Sequence, residues 1–351
     1  MKETILTGIR PTGNLHLGHY CGAIASLTEI QKGDNYDNFY VMIADTQALT
    51  DNAKNVDKVK NNVIQVAIDL LSAGLDPNKA TLFIQSQVPE LFEMTGYFLN
   101  LVTVARLKRN PTIKEEIKQR GFENTLPVGF LTYPVSQAAD ILAFNTTIVP
   151  AGDDQAPMVE QTREIVQSFN NTYSPVFTMP KIVLPSNKSR ARLPGTDGKL
   201  KMSKSIGNCI YLCDDEKTVK QKVMSAYTDP DHIKVSDPGK IEGNVVFAYL
   251  DAFCKEEHFE KYLPEYKNLD ELKEHYTRGG LGDVKVKNFL NAILQELLAP
   301  IREKRTELEQ NLDGVYKMLF NNAEKMRVIA KAKINEMYDA MGINYKKYIK
   351  N

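Results

Sequence analysis

The alternation of short apolar runs with longer helical patterns constrains the fold of this chain more than any other feature. Four runs rich in branched or aromatic residues occupy residues 5–9, 39–44, 80–85 and 146–149, and helical patterns lie between them. Parallel strands need a long crossover, usually a helix, whereas antiparallel strands can be joined by a short turn. The order therefore favours an α/β fold with a Rossmann-like, doubly wound parallel sheet.

The helical pattern is clearest after the second run. Apolar residues recur with helical spacing over residues 56–70, and Gly74 and Pro77 then give a stop signal. We therefore expect a helix that begins near Val56 and ends before Gly74.

The second half of the chain has a different pattern. The last strand-like run is at residues 210–212, and amphipathic helical stretches follow at 284–298 and 326–341, the last of them closed by Gly342. This change predicts a second, C-terminal helical domain.

These patterns suggest a division of the chain. We expect a Rossmann-like catalytic domain over residues 1–200, a mobile loop over 201–210 and a helical domain over 211–351. The last helix would pack back on the catalytic domain. The polar segment 187–204, which carries Gly and Pro, would form the hinge.

Composition and charge exclude several classes of protein. The 351 residues are 42% hydrophobic and 25% charged, as in globular proteins, and we find neither a signal peptide nor an apolar run long enough to span a bilayer. This predicts a cytoplasmic protein without membrane association. A formal net charge of zero argues against a protein that coats nucleic acid, but a basic patch that could clamp a folded RNA is present at Lys188, Arg190, Arg192, Lys199, Lys201 and Lys204.

The four cysteines give no sign of a metal or a disulfide framework. Cys21, Cys209, Cys213 and Cys254 lack the paired spacing of zinc ribbons. We therefore expect reduced thiols and no bound metal.

Two segments carry groups suited to a polyphosphate. The glycine–histidine segment, residues 8–19, follows the first strand and opens a helix with His16 and His19; the lysine segment, residues 201–205, carries Lys201 and Lys204. Glycines let the backbone approach a phosphate, and imidazole or ammonium groups can stabilise its charge. Separately, a histidine at a helix start can be a simple cap and loop lysines are usually solvated. Together they predict one ATP site.

A polar face on another helix predicts a substrate pocket. A helix that begins near Tyr133 and Pro134 would place Tyr133, Gln137, Asp140 and Phe144 on one face. A carboxylate among apolar neighbours is costly unless it has a partner, so a ligand donor for Asp140 is one interpretation. A polar edge facing solvent is the other. Residues 149–155 then resemble a strand end and glycine turn that could hold a ribose or an amino group.

With these segments in place, the chain resembles the tryptophanyl-tRNA synthetases of the class I aminoacyl-tRNA synthetase family along nearly its whole length. The resemblance rests on the glycine–histidine and lysine segments and on residues 43–50, 82–86, 132–134, 138–142, 152–155 and 162–163. It implies a homodimeric enzyme that activates L-tryptophan with ATP and Mg²⁺ and transfers it to the 3′ end of tRNA(Trp).

The resemblance also implies roles for individual residues. The catalytic groups would be His16, His19, Lys201 and Lys204. ATP would be bound by Arg10, Pro11, Thr12, Gly18, His19, Gly152, Asp153, Asp154, Leu193, Lys201, Met202, Ser203, Lys204 and Ser205, with Leu193 offering backbone contacts to adenine. Tryptophan would be bound by Leu6, Gly8, Gln47, Tyr133, Gln137, Asp140 and Gln155; Asp140 would accept the indole N–H, and Tyr133 and Gln155 would hold the ammonium group.

Three residues depart from common family patterns. Arg10 stands where many bacterial members have glutamine, Gln47 where some have histidine, and Gln137 where some have methionine. The four-cysteine spacing of the members that carry an iron–sulfur cluster is absent. The alternatives are a tyrosyl-tRNA synthetase, a small-molecule adenylyltransferase, which would need neither the lysine segment nor the helical half, and a non-catalytic RNA-binding paralogue.

Overall fold

One parallel sheet organises the first half of the chain. The computed structural model describes residues 2–33, 35–184, 193–198, 202–204 and 206–349. Within these ranges the strands of the sheet lie in the order β3-β2-β1-β4-β5, and every adjacent pair is parallel. Their bounds are Glu3–Ile9 (β1), Tyr36–Ile43 (β2), Thr81–Ile84 (β3), Ile148–Pro150 (β4) and Lys181–Val183 (β5). This confirms the predicted α/β fold with a Rossmann-like sheet.

The strand order reverses between β1 and β4. The chain moves outward from β1 to β3 on one side and returns to β4 and β5 on the other. In doubly wound sheets such a reversal opens a crevice at the carboxyl ends of the two central strands, and ligands bind there. The ends of β1 and β4, at Ile9 and Pro150, therefore flank the expected binding site.

The prediction of a strand at residues 210–212 was wrong, and β5 was missed. Tyr211 makes only a single antiparallel bridge, with His16. Its neighbours Ile210 and Leu212 are fully buried. They are apolar because they are buried, and they do not belong to the sheet. The three-residue β5 lies at the sheet edge with two exposed residues, and its apolar run is only the three residues from Ile182 to Leu184.

Helices account for most of the remaining structure. Among the described residues they are Leu17–His19 (α1), Ala25–Ile30 (α2), Asp45–Leu49 (α3), Val56–Ser72 (α4), Glu90–Phe98 (α5), Val104–Arg109 (α6), Pro111–Arg120 (α7), Val128–Leu142 (α8), Ala156–Thr172 (α9), Glu216–Met224 (α10), Val245–Phe253 (α11), Glu256–Tyr262 (α12), Leu269–Arg278 (α13), Asp283–Gln310 (α14) and Leu312–Met341 (α15). A π-helical turn, Tyr20–Ile24, joins α1 to α2, and short 3₁₀ turns lie at Gln85–Gln87, Leu99–Leu101, Asp153–Gln155 and Tyr345–Tyr348.

The helix predicted from the 56–70 pattern is confirmed as α4. Asn55 caps its start by accepting the Lys58 N–H, and the chain leaves the helix before Gly74, whose φ of +109° is unfavourable for other residues. Like most amphipathic helices, α4 buries its apolar face against the sheet.

The predicted start of α8 was wrong. The helix begins at Val128 after Pro127, five residues before Tyr133, and Pro134 lies inside it. A proline inside a helix removes one hydrogen bond and usually marks a break, which is why the sequence suggested a first turn at Pro134. Phe144 lies just beyond the helix end at Leu142, although it is buried.

The long C-terminal helices contribute to the cores on both sides of the sheet. Leu298 of α14 and Val315 of α15 share a core with Leu15 and Val41, whereas Met326 and Met337 of α15 share a second core with residues such as Phe83. The last helix thus lies against the sheet and ends at Gly342, with a φ of +72°. The boundary at residue 200 and most of the hinge at 187–204 lie outside the described residues, so the division into domains stays a prediction.

No helix in the described ranges is both long enough and apolar enough to cross a bilayer.

Candidate active site

The two histidines of the glycine–histidine segment lie together at the start of α1. The His16 Nδ1 atom accepts the Gly18 N–H at 3.1 Å, and the His19 Nδ1 atom accepts the His16 N–H at 3.3 Å. The ring centroids are 3.9 Å apart. Because each Nδ1 accepts a hydrogen bond, the network assigns the proton of each neutral ring to Nε2. Both Nε2 atoms are therefore donors suited to an anion.

Two glycines permit this arrangement. Gly13 has a φ of +144°, and a Cβ atom there would lie 3.0 Å from the Lys204 side chain. A Cβ atom on Gly18 would lie 3.0 Å from the His16 ring. A larger residue at either position would separate groups that the site brings together.

The lysine segment contacts the glycine–histidine segment. The Lys204 ammonium group donates to the Gly13 carbonyl at 2.5 Å. Burial lowers the pKa of Lys204 to about 8, and the negative charge of Asp69 opposes that shift. Lys201 and Ser205 lie outside the described residues.

The other residues of the lysine segment are held locally. Met202 is buried, and its N–H donates to the Leu193 carbonyl at 3.2 Å. The Ser203 N–H donates to the Asn208 side chain at 2.8 Å. Leu193, predicted to contact adenine, is buried in this turn with its carbonyl oxygen turned to Met202.

Main-chain hydrogen bonds also join the chain after the lysine segment to the glycine–histidine segment. The Leu17 N–H donates to Ile210, and the Leu212 N–H donates to the Leu15 carbonyl, both at 3.0 Å. Asn14 donates to the Cys213 thiol at 3.1 Å. The two segments predicted to share ATP therefore form one unit.

A buried carboxylate network lies beyond the ends of β2 and β3. Gln85 donates to both oxygens of Asp140 at 2.8 Å, and Gln47 donates to one of them at 3.1 Å and to Ser136 at 2.6 Å. Asp140 is 2% exposed. Burial raises the pKa of Asp140 to about 7; the hydrogen bonds from Gln85 and Gln47 oppose that shift, and the charge of Asp45 adds to it.

The remaining residues predicted to bind tryptophan lie in three places. Gln137 donates to Gln155 at 3.2 Å, which brings α8 and the turn after β4 together. Tyr133 instead donates to Glu116 of α7 at 2.8 Å, and burial raises its pKa. Leu6 and Gly8 lie on β1, where Leu6 is buried in the same core as the apolar side of α8.

A compact charge cluster lies beside the end of β1. Arg10 and Arg120 each form an ion pair with a different oxygen of Asp51, whose side chain is 3% exposed. Two guanidinium groups face one carboxylate, so the cluster carries a net positive charge. Pro11 and Thr12 continue the turn, with the Thr12 N–H donating to the Arg10 carbonyl at 2.9 Å. The sequence pointed to Arg10 but to neither of its partners.

The turn after β4 faces the glycine–histidine segment across the strand reversal. It begins after Pro150 and continues as the 3₁₀ turn that starts at Asp153. The Gln155 N–H closes it on the Gly152 carbonyl at 3.0 Å, and Thr112 of α7 donates to the Asp154 carbonyl at 3.0 Å. Its predicted contacts to ATP remain a prediction.

The sequence missed three residues that support these groups. Gln85 orients Asp140, whereas Asp69 and Arg305 lie beneath the glycine–histidine segment. Gln85 is a polar residue at the end of a buried strand, and Asp69 is a carboxylate in an otherwise apolar helix face. Both features can be seen in the sequence. No sequence signal marks Arg305, which lies 236 positions from its partner.

Comparison with known proteins decides the family. A family model described as class I tRNA synthetases (W and Y) matches residues 2–299. The chain belongs to this family of class I tRNA synthetases. It is 56% identical over 345 residues to the tryptophan–tRNA ligase of Clostridium longisporum, covering 98% of each chain, and 56% identical to that of Lactococcus lactis, covering 98% of this chain and 99% of the relative.

Solved structures of synthetases share the fold. The tryptophanyl-tRNA synthetase of Campylobacter jejuni, solved with ADP and tryptophan, is 32% identical and superposes with a TM-score of 0.82 over 97% of this chain and 99% of its own. That of Mycoplasma pneumoniae is 28% identical and superposes with a TM-score of 0.79 over 99% of each chain. These comparisons confirm the predicted family and enzyme class.

Proposed function

We infer that the chain is a tryptophan–tRNA ligase, which activates L-tryptophan with ATP and transfers it to tRNA. The observation that carries the inference is the buried Asp140 carboxylate, oriented by Gln85 and Gln47. Near-full-length similarity to tryptophan–tRNA ligases supports tryptophan over the tyrosine alternative. The retained His16, His19 and Lys204 argue against a non-catalytic paralogue.

Asp140 is suited to recognise an indole N–H. A carboxylate offers about four acceptor positions, and Gln85 and Gln47 make three contacts with it. The remaining position can accept one ligand donor. Since the group is buried, an amino acid without such a donor would leave that position unpaired. Leu6 and Gly8 would line the apolar side of this pocket.

The polar end of the amino acid would meet a second set of groups. We propose that Tyr133 and Gln155 hold the ammonium group, with Gln137 supporting Gln155 through their 3.2 Å contact. The acceptor oxygens of Glu116 and Gln155 are compatible with a cation. The substrate carboxylate would then point towards the ATP side of the crevice.

The reaction needs alignment and charge stabilisation more than a covalent intermediate. A carboxylate oxygen of tryptophan attacks the α-phosphorus of ATP, and the bond to the leaving pyrophosphate breaks. A ribose hydroxyl of tRNA then attacks the carbonyl carbon of the adenylate, and AMP leaves. His16 and His19 would donate Nε2–H groups to phosphate oxygens, while Lys201 and Lys204 would offset the growing charge.

The other proposed ATP contacts surround the crevice. ATP would enter as its magnesium complex, with magnesium as part of the substrate. Among the described residues, no group of His, Cys, Asp and Glu side chains is arranged to hold a metal ion. The proposed contacts are Arg10, Pro11, Thr12 and Gly18 on one side, Gly152, Asp153 and Asp154 on the other, Leu193 from before the lysine segment, and Met202, Ser203 and Ser205 from within it.

We also propose that the enzyme is a homodimer that acts in the cytoplasm. Helices α5, α6 and α8 pack together, and Phe92, Val104 and Val128 on them are 62%, 58% and 76% exposed. Apolar side chains this exposed are suited to an interface with a second copy. Sedimentation of the wild-type protein and of the Phe92→Glu variant tests this: a monomeric wild type would contradict it.

The activity has a direct test. ATP–pyrophosphate exchange should depend on tryptophan and should be far weaker with tyrosine or phenylalanine at equal concentration. Charging of tRNA(Trp) should follow with the same protein. Exchange that is equally fast with tyrosine would overturn the assignment.

A further inference from the structure

A buried ion pair connects a C-terminal helix to the glycine–histidine segment. Arg305 of α14 pairs with Asp69 of α4, and the side chains are 8% and 0% exposed. Arg305 also donates to Gln65 and forms an ion pair with Glu309 at 3.0 Å. A buried guanidinium with these three partners is held in one orientation.

The second oxygen of Asp69 holds the main chain of the ATP site. It accepts the Leu15 N–H at 2.8 Å, and the Leu15 carbonyl in turn accepts the Leu212 N–H at 3.0 Å. Leu15 lies directly before His16 and two residues after Gly13, the acceptor of the Lys204 ammonium group. One carboxylate therefore fixes the backbone between the proposed histidine and lysine contacts to ATP.

The same carboxylate is electrostatically linked to Lys204. The negative charge of Asp69 acts to raise the pKa of Lys204, and the charges of Arg305 and Lys204 lower that of Asp69. Burial nevertheless raises the pKa of Asp69 to about 6. Loss of the Arg305 charge would favour protonation of Asp69 and so weaken the acceptor that holds Leu15.

We propose that Arg305 is a positioning residue for adenylate formation, acting through Asp69 on the backbone of residues 13–16 of the glycine–histidine segment. Among the described residues, the hydrogen bonds and ion pairs of Arg305 go to Asp69, Gln65 and Glu309, none of which is a proposed substrate contact. The inference rests on the proposed synthetase function. Its consequence is that α14, whose first half packs in the C-terminal helical region, helps to set the ATP site of the sheet.

The test compares Arg305→Met with Lys333→Met. Lys333 is a matched control because it is a buried cation on the other long C-terminal helix, where it contacts Glu336 and the Val176 carbonyl and not the glycine–histidine segment. For each variant we would measure unfolding in urea, tryptophan binding, and the kinetics of pyrophosphate exchange as the kcat and the KM for ATP. Arg305→Lys and Asp69→Asn complete the set.

The expected result is a split between the two substrates, in which the use of ATP is impaired and the binding of tryptophan is not. In Arg305→Met, kcat/KM for ATP should fall by on the order of ten- to a hundred-fold, the cost of a small misplacement of reacting groups, while the Kd for tryptophan changes by less than about two-fold. Arg305→Lys should recover part of the loss, because it keeps the charge but cannot contact Asp69 and Gln65 through two separate nitrogens. Asp69→Asn should reproduce the split.

Two results would overturn the proposal. One is unchanged ATP kinetics in a folded Arg305→Met or, if that variant does not fold, in Arg305→Lys and Asp69→Asn. The other is an equal loss of ATP kinetics and tryptophan binding that follows the fall in the urea midpoint, which is the result expected of Lys333→Met. That result would mean that the Arg305–Asp69 pair is structural only. Failure of the proposed function is distinct, because the wild type would then show no tryptophan-dependent exchange.

Discussion

The side-chain amide of Gln85 donates hydrogen bonds from its one nitrogen to both carboxylate oxygens of Asp140, each at 2.8 Å. The donor comes from the turn after β3 and the acceptor from α8, so the contact ties the sheet to the helix that carries three of the seven proposed tryptophan contacts. The glutamine oxygen accepts the Gln47 N–H at 3.2 Å, which fixes the orientation of the amide. The carboxylate is therefore preorganised for a ligand before any ligand arrives.

Replacing Asp140 should weaken tryptophan binding selectively. In Asp140→Asn the acceptor charge is lost and the amide competes with Gln85, so we expect the Kd for tryptophan to rise by about ten- to a hundred-fold, corresponding to the 1–3 kcal/mol of an unsatisfied buried group. The protein has no tryptophan and 16 tyrosines, so the emission of the bound indole can be followed alone. Ser136→Ala, which keeps Asp140, is the control, and equal behaviour of the two variants would contradict the role of the carboxylate.

The raised pKa of Asp140 predicts a pH dependence of binding. An indole N–H favours the ionised carboxylate. Because the pKa of Asp140 is about 7, this carboxyl group is protonated in much of the free protein below neutral pH. Tryptophan binding should therefore release a proton at pH 6 and weaken as the pH falls through 7. Calorimetry in two buffers of different ionisation enthalpy measures the proton. The absence of proton release at pH 6 would count against the prediction.

Gln85 should set the midpoint of that pH dependence. Its hydrogen bonds lower the pKa of Asp140, so their removal in Gln85→Met should raise that pKa and move the pH dependence of tryptophan binding to higher pH. We expect weaker binding at pH 7 that recovers in part at pH 8.5. A Gln137→Met variant, which does not alter the contacts of Asp140, should keep the wild-type midpoint. The measurement is the tryptophan Kd as a function of pH.

Lys204 should affect chemistry more than tryptophan binding. If its ammonium group stabilises charge on the reacting phosphates, Lys204→Ala should reduce the rate of adenylate formation by on the order of a hundred-fold, with little change in tryptophan Kd. Because its pKa is lowered to about 8, the wild-type rate should fall as the pH rises through 8, and Lys204→Arg should lack that decline. Rapid-quench measurement of adenylate tests both statements. Equal losses in rate and binding would make the lysine a structural part of the pocket.

The sequence was most informative where the structure depends on short local motifs. The glycine–histidine segment takes its shape from the backbone freedom of Gly13 and the turn at His16, and both are encoded by neighbouring residues. The first four strands and α4 follow from local periodicity in the same way. Local geometry of this kind needs no knowledge of distant parts of the chain.

The sequence was less informative where burial imitates secondary structure. Ile210 and Leu212 are apolar because they lie under the glycine–histidine segment, although their pattern predicts a strand. Pro134 is accommodated inside α8, although proline usually marks a helix start or break. In both cases packing outweighed the local preference.

By itself, the sequence determined the family and the parallel sheet, and it is the source of the proposed contacts to ATP and tryptophan. Only the tertiary structure decided which groups support them: Gln85 beneath Asp140, and Arg305 behind Asp69 and Leu15. The physical reason is that a buried polar group must find a partner wherever the fold provides one, and that partner can come from any distance along the chain. Arg305 and Asp69 are 236 positions apart in sequence and become neighbours only when α14 packs on α4.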